Sequence, residues 1–147
     1  MKLNPDCIRD IMLFCEKNCY VIADDSRKKA AFHTLDIYEL HKLEPFPKYP
    51  IAELMYHAVQ LSESGYIVTD FKFFPDGEDN RLQMLHIYYV TPKGHEFVGT
   101  ITESKLWGTT LRIIKGIGSI SLSIIETIAQ GVTTAAIESA VAKMGKP

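Results

Sequence analysis

Few side chains in this chain of 147 residues stand at the spacings that chemistry needs. Cys15 and Cys19 are four apart, which sets two potential metal ligands on one face of a helix. Around them, however, the cysteines Cys7, Cys15 and Cys19 and the histidines His33, His41, His57, His86 and His95 form no C-x-x-C knuckle and no H-E-x-x-H unit. The thiols therefore read as buried and inert, with no metal. His95 and Glu96 are adjacent, and neighbouring helical residues point in different directions, so they make no acid–base dyad. Glu96 near a helix N-terminus, with His95 packed under a hairpin, is the simpler expectation. Nucleophile elbow, phosphate loop and dinucleotide fingerprint are missing; Gly116-x-Gly118 lacks its third glycine and its strand. The expectation is a chain without catalytic residues, cofactor or small-molecule substrate.

Macromolecular contact is the remaining chemistry, and three groups of residues are candidates for it. Tyr56, His57 and Gln60 share the face of a helix expected to point outward, where Gln60 has the amide that reads adenine. Arg27, Lys28 and Lys29 form a basic cluster for phosphates or an acidic partner. Ile113, Ile117, Ile120, Ile124 and Ile128 are spaced 4, 3, 4 and 4, an apolar seam that suits an oligomer interface if it lies on one helix. Charge weighs against nucleic acid. The whole chain has 16 basic and 18 acidic residues. From Leu43 to Arg81 three bases (Lys48, Lys72, Arg81) face seven acids (Glu44, Glu53, Glu63, Asp70, Asp76, Glu78, Asp79), a local charge of −4 where a polyanion needs cations. A protein partner or self-association is thus favoured over DNA.

The elements that position these residues follow from local signals. Asn4-Pro5-Asp6 combines a side-chain cap, a proline at N1 and an early carboxylate, so a helix starts there and buries Ile8, Ile11, Met12 and Cys15. Residues 24–29 read as an exposed loop, and 32–40 as a possible strand. Pro45, Pro47 and Pro50 forbid a helix before Ile51. A second helix then carries Ile51, Leu54, Met55, Ala58 and Leu61 inward and ends at Gly65, where a left-handed residue is wanted. Residues 66–74 and 82–90 predict a hairpin around the turn at 75–80. Thr91-Pro92 opens a third helix through Phe97, Ile101 and Trp107, and the isoleucine-rich tail predicts a further helix despite Gly116, Gly118 and Gly131.

Three stretches also carry a resemblance. They are Met1-Lys2-Leu3-Asn4-Pro5-Asp6-Cys7-Ile8-Arg9-Asp10-Ile11, Tyr56-His57-Ala58-Val59-Gln60-Leu61-Ser62-Glu63-Ser64-Gly65-Tyr66-Ile67, and Thr91-Pro92-Lys93-Gly94-His95-Glu96-Phe97 with Trp107 downstream. In this order the chain resembles the bacterial and phage family called domain of unknown function 2513, over residues 1 to 20 and 50 to 125. The resemblance implies a winged-helix-like fold and a phage or prophage setting; it implies no activity and no site residues.

The expected architecture is α+β: a winged-helix-like core of helix, strand, helix, β-hairpin and helix over 1–107, then an apolar helical tail over 108–147 packing on the core or forming an oligomer interface. Three cysteines in one short segment make no disulfide framework, and the N-terminus has no apolar signal region, so a reducing cytoplasm is expected. Between Lys115 and Glu126 lie ten residues, against the roughly 20 apolar ones of a membrane helix, so membrane contact is disfavoured. A regulatory or protein-interaction module is the leading expectation, and a winged-helix DNA-binding regulator the alternative.

Overall fold

A computed structural model describes residues 1–71, 85–118 and 120–145, which form two compact units, Met1–His95 and Glu96–Pro147. The fold is α+β. In the first unit α1 (Pro5–Asn18) begins as its cap demands, with the Asn4 side chain accepting from the amides of Asp6 and Cys7. Its apolar stripe, from Cys7 and Ile8 through Ile11 and Met12 to Cys15, is fully buried.

After α1 the chain makes two strands that periodicity does not reveal. β1 (Tyr20–Asp24) and β2 (Lys29–His33) pair antiparallel, Tyr20 opposite His33 and Asp24 opposite Lys29, so the expected loop is only the four-residue turn 25–28. The stretch expected as one strand over 32–40 divides instead: β3 (Leu35–Asp36) is followed at once by α2 (Ile37–His41). Asp36 explains the switch, because its carboxylate accepts from the amides of Tyr38 and Glu39 and so caps the helix. The proline segment carries a short 3-10 turn, Phe46–Lys48, whose Phe46 is buried.

α3 (Ile51–Glu63) buries Leu54, His57, Ala58 and Leu61, while Ile51 and Met55 are half-exposed. Gly65 sits at φ +83°, as the helix end requires. β4 (Ile67–Thr69) and β5 (His86–Val90) then form, with β3, a three-stranded antiparallel sheet in the order β3-β5-β4. Leu35 faces Ile87 and Ile67 faces Val90, with an irregularity between Val68 and Thr69. The expected turn at 75–80, with Lys72, Asp76, Glu78, Asp79 and Arg81, lies outside the described residues.

α4 (Pro92–Ile101) starts at the Thr91-Pro92 signal but ends before Trp107, which belongs to α5 (Ser104–Lys115). The cause is a new start: the Glu103 carboxylate caps α5 through the amide of Leu106. In the second unit α5 packs against α6 (Leu122–Met144), which opens on a cap from Ser121 to the amide of Ile124.

Candidate interaction site

The β1–β2 hairpin is an arm whose ten strand residues, except half-buried His33, are exposed. Its turn is built by Asp24, which accepts from the Ser26 amide (3.1 Å) and hydroxyl (2.7 Å) and from the Arg27 amide (3.3 Å), while Lys28 adopts φ +51°. The Ser26 hydroxyl, with the two amides, holds the Asp24 carboxyl below its usual value. Alternation puts Val21, Ala23, Ala30 and Phe32 on one side, all apolar, and Tyr20, Ile22, Asp24, Lys29, Ala31 and His33 on the other. At the root Tyr20 stacks on His33 at 4.7 Å, the His33 ring meets the Asn18 carbonyl at 3.0 Å, and Phe32 stacks on Tyr89 of β5 at 5.1 Å.

Beyond that root the arm is uncovered. Val21 is 56% exposed, Ile22 53%, Tyr20 51% and Phe32 46%, four large apolar side chains in contact with water on a ribbon of ten residues. Singly such residues are ordinary; here they cluster on both faces of a two-stranded ribbon as an exposed apolar patch. Arg27, Lys28 and Lys29 crown its tip beside Asp24 and Asp25, and Arg27 pairs with Asp24 at 3.7 Å. The basic cluster therefore sits at the tip of an apolar arm, Arg27 and Lys28 in its exposed polar turn and Lys29 at the start of β2. Sequence reasoning named the three cations but missed the apolar part, whose signal was the β-branched pair at 21–22.

The second candidate group comes apart. Tyr56 and Gln60 are half-exposed on α3, but His57 is fully buried. Its Nε2 accepts from the Asn4 amide at 2.7 Å and its Nδ1 donates to the Glu53 carbonyl at 2.7 Å, so both ring nitrogens are engaged inside the unit. An outward-reading trio is thereby corrected to a pair. Glu53, counted above as repulsive charge, is held by the Asn4 side-chain amide at 2.9 Å. No Lys or Arg occurs anywhere in α3.

The isoleucine seam is also corrected, because it does not run along one helix. Ile113 lies on α5, Ile117 and Ile120 lie between helices, and only Ile124 and Ile128 lie on α6. Gly116 caps α5 and ends it, which breaks the periodicity. Ile113 and Ile117 are exposed, whereas the inward positions of α6 are Leu122, Ile125 and Ala129. Farther along α6 the exposed apolar side chains are Ile137, Val141 and Met144.

One constellation had no sequence signal at all. His86 on β5 lies between two carboxylates: its Nδ1 is 2.8 Å from Asp70 Oδ2 and its Nε2 3.3 Å from Asp36 Oδ2, while its amide donates to Asp70 Oδ1 at 2.7 Å. Asp36 is already the cap of α2, so the group ties β3, α2 and β5 to the end of β4. Burial alone would raise the Asp70 carboxyl, but the His86 amide and ring outweigh it and hold the carboxyl below its usual value. A depressed carboxyl contributes stability that is present above its unfolded value and is lost as pH falls through its folded one. Asp70→Asn is therefore expected to cost about 1 kcal/mol at neutral pH, with the gap to the parent closing as pH drops below about 4, as read by urea midpoints across pH. A constant gap down to pH 2 would refute the assignment.

The remaining groups are simple. His95 is exposed beside Glu16 at 3.4 Å and not packed under a hairpin, since its place on α4 turns it toward α1. Burial pushes the Cys7 thiol up to about 12, and Cys15 is buried too, but Cys19 is half-exposed, against the expectation of uniformly inert thiols. Among the described residues no three His, Cys, Asp or Glu side chains gather as metal ligands, and no helix is long and apolar enough to cross a membrane.

Comparison with known proteins adds one finding. The family described as "Hypothetical protein (DUF2513)" matches residues 2–121. No curated protein and no solved structure matches the chain.

Proposed function

The chain belongs to the DUF2513 family, and with that as premise we propose that it is a non-catalytic, winged-helix-like interaction module that docks a protein partner through its β1–β2 arm in the cytoplasm. The order α1, β3, α2, α3, β4, β5, with the sheet order β3-β5-β4, supports the winged-helix reading of the first unit, the arm being an addition between its first helix and first strand. The phage or prophage setting that the family resemblance implied stays part of the proposal.

The observation that carries this reading is the arm's apolar exposure combined with an α3 that has no cation. A winged helix that reads DNA sets a helix in the major groove and must neutralise phosphates around it. Here α3 offers Glu53 and Glu63 and neither lysine nor arginine. A protein surface, in contrast, is recognised by buried apolar anchors rimmed with charge. Val21, Ile22 and Phe32 with Lys28 and Lys29 have that composition.

A second reading rests on the same arm: a two-stranded ribbon fits the major groove, and this one has three cations at its tip. Titration of a labelled random duplex with the whole chain at low and high salt separates the two. We expect no saturable binding at micromolar protein, and partner capture that Val21→Lys with Ile22→Lys abolishes at unchanged thermal midpoint. Micromolar, steeply salt-dependent DNA binding that disappears on replacing Arg27, Lys28 and Lys29 by alanine would replace the protein-docking reading with the DNA one.

A further inference from the structure

Cys15 and Cys19 lie together at the root of the arm, where α1 ends. Cys15 is buried on the last turns of α1; Cys19 is the residue after the helix, half-exposed, and immediately precedes β1. The Cys19 amide donates to the Cys15 carbonyl at 2.9 Å, which seats the two residues together at the end of α1. The neighbouring Cys15 thiol holds the Cys19 thiol below its usual value, while the Cys19 thiol and burial push Cys15 well above it. One thiol of the pair is thus the accessible nucleophile, and the other is its neighbour in waiting.

We propose that Cys19 and Cys15 form a reversible dithiol site that reacts with low-molecular-weight disulfides, Cys19 as the attacking thiol and Cys15 as the resolving one. In the first step the Cys19 thiolate attacks one sulfur of the small disulfide; its S–S bond breaks, a mixed disulfide forms on Cys19, and one small thiolate leaves. In the second step the Cys15 sulfur attacks the Cys19 sulfur; the mixed disulfide's S–S bond breaks, the Cys15–Cys19 bond forms, and the Cys15 proton passes to the departing sulfur, which leaves as the second small thiol. Two protein thiols are oxidised, and one small disulfide is reduced to two thiols.

Geometry permits the closure. Residues four apart on a helix have β-carbons about 5–6 Å apart, and a disulfide needs about 3.5–4.5 Å, so the pair must approach by about 1–2 Å. Cys19 has the freedom to supply that movement, since it is the C-cap with extended backbone angles (φ −96°, ψ 115°) and not a residue inside the helix. Cys7, buried near the other end of α1, has neither the exposure nor the neighbour. This site stands independently of the docking partner, although the bridge would end one residue before the arm.

The test uses the whole chain in oxidised glutathione, followed by tryptic mapping. Trypsin cuts after Lys17, between the two cysteines, so a Cys15–Cys19 bridge joins the peptides 10–17 and 18–27, while Cys7 reports separately in 3–9. We expect the joined pair in the parent and in Cys7→Ser, and a stable glutathione adduct on Cys19 in Cys15→Ala. Equal modification of Cys7 and Cys19 in the parent, or an adduct on Cys19 that never resolves into the joined pair, would overturn the proposal. Because the parent map decides on its own, the result does not depend on how well Cys15→Ala folds.

Discussion

Gly94→Ala is expected to destabilise the protein more than the same change at any other described glycine, by about 3 kcal/mol, which for a chain of this size lowers the thermal midpoint by about 10 °C. A β-carbon at Gly94 would stand 2.1 Å from the Tyr66 carbonyl oxygen and 2.7 Å from Val90 Cγ1. The oxygen is main chain and cannot swing aside. It is also fixed, because it accepts from the Thr91 amide at 3.0 Å and from the Thr91 hydroxyl at 3.1 Å, and that hydroxyl in turn accepts from the Gly94 amide at 3.0 Å. The first turn of α4 is thereby seated directly on the chain between α3 and β4, and only glycine leaves room for the contact. Gly99, in the same helix, meets nothing within 4 Å of its would-be β-carbon. Gly99→Ala is therefore the matched control, expected to stabilise by about 0.5–1 kcal/mol through helix propensity. Thermal unfolding of both variants checks the pair; a loss below about 1 kcal/mol at Gly94 would mean that α4 does not rest on Tyr66.

The second large effect is expected at His57. His57→Ala removes a buried ring and leaves the Asn4 amide, which donates to it at 2.7 Å, without its acceptor. A cavity and an orphaned donor together cost about 3 kcal/mol. The damage is expected to spread, since Asn4 both caps α1 and holds Glu53, so the start of α1 and the first turn of α3 are fastened at one residue. His57→Leu restores most of the apolar volume but not the acceptor, and should recover about half of the loss. Urea unfolding distinguishes this internal role from a surface one. A midpoint unchanged by His57→Ala, coupled with loss of partner binding, would return His57 to an outward face.

What the sequence made legible was what its neighbours determine. Asn4-Pro5-Asp6, Gly65 and Thr91-Pro92 set helix boundaries through interactions within four residues, and each stands where local chemistry puts it. His57 carried a local signal as well: Leu54, His57 and Leu61 are spaced three and four, the same arithmetic that places the leucines inside. The arm was hidden for another reason. Its second strand, Lys-Ala-Ala-Phe-His, has no apolar alternation, because the rest of the unit touches the ribbon only near its root, where Phe32 meets Tyr89, and leaves both faces largely exposed. The Asp36–His86–Asp70 group could not be read at all, since residues 16 to 50 positions apart are joined only by strand register and by a cap. The seam failed at Gly116, where a run that looked continuous in period was interrupted by a helix end.

The arm has one more property that follows from its having only two strands. Among the described residues β1 and β2 pair with each other alone, so each also has a long edge of amides and carbonyls facing outward. Such edges are templates on which an extended peptide adds as a third strand, its side chains falling alternately beside Val21 or Ile22. Charge at 24–29 guards the tip, but nothing comparable guards the middle. The same ribbon therefore leaves two kinds of surface open to water, the apolar side chains of its faces and the backbone groups of its edges.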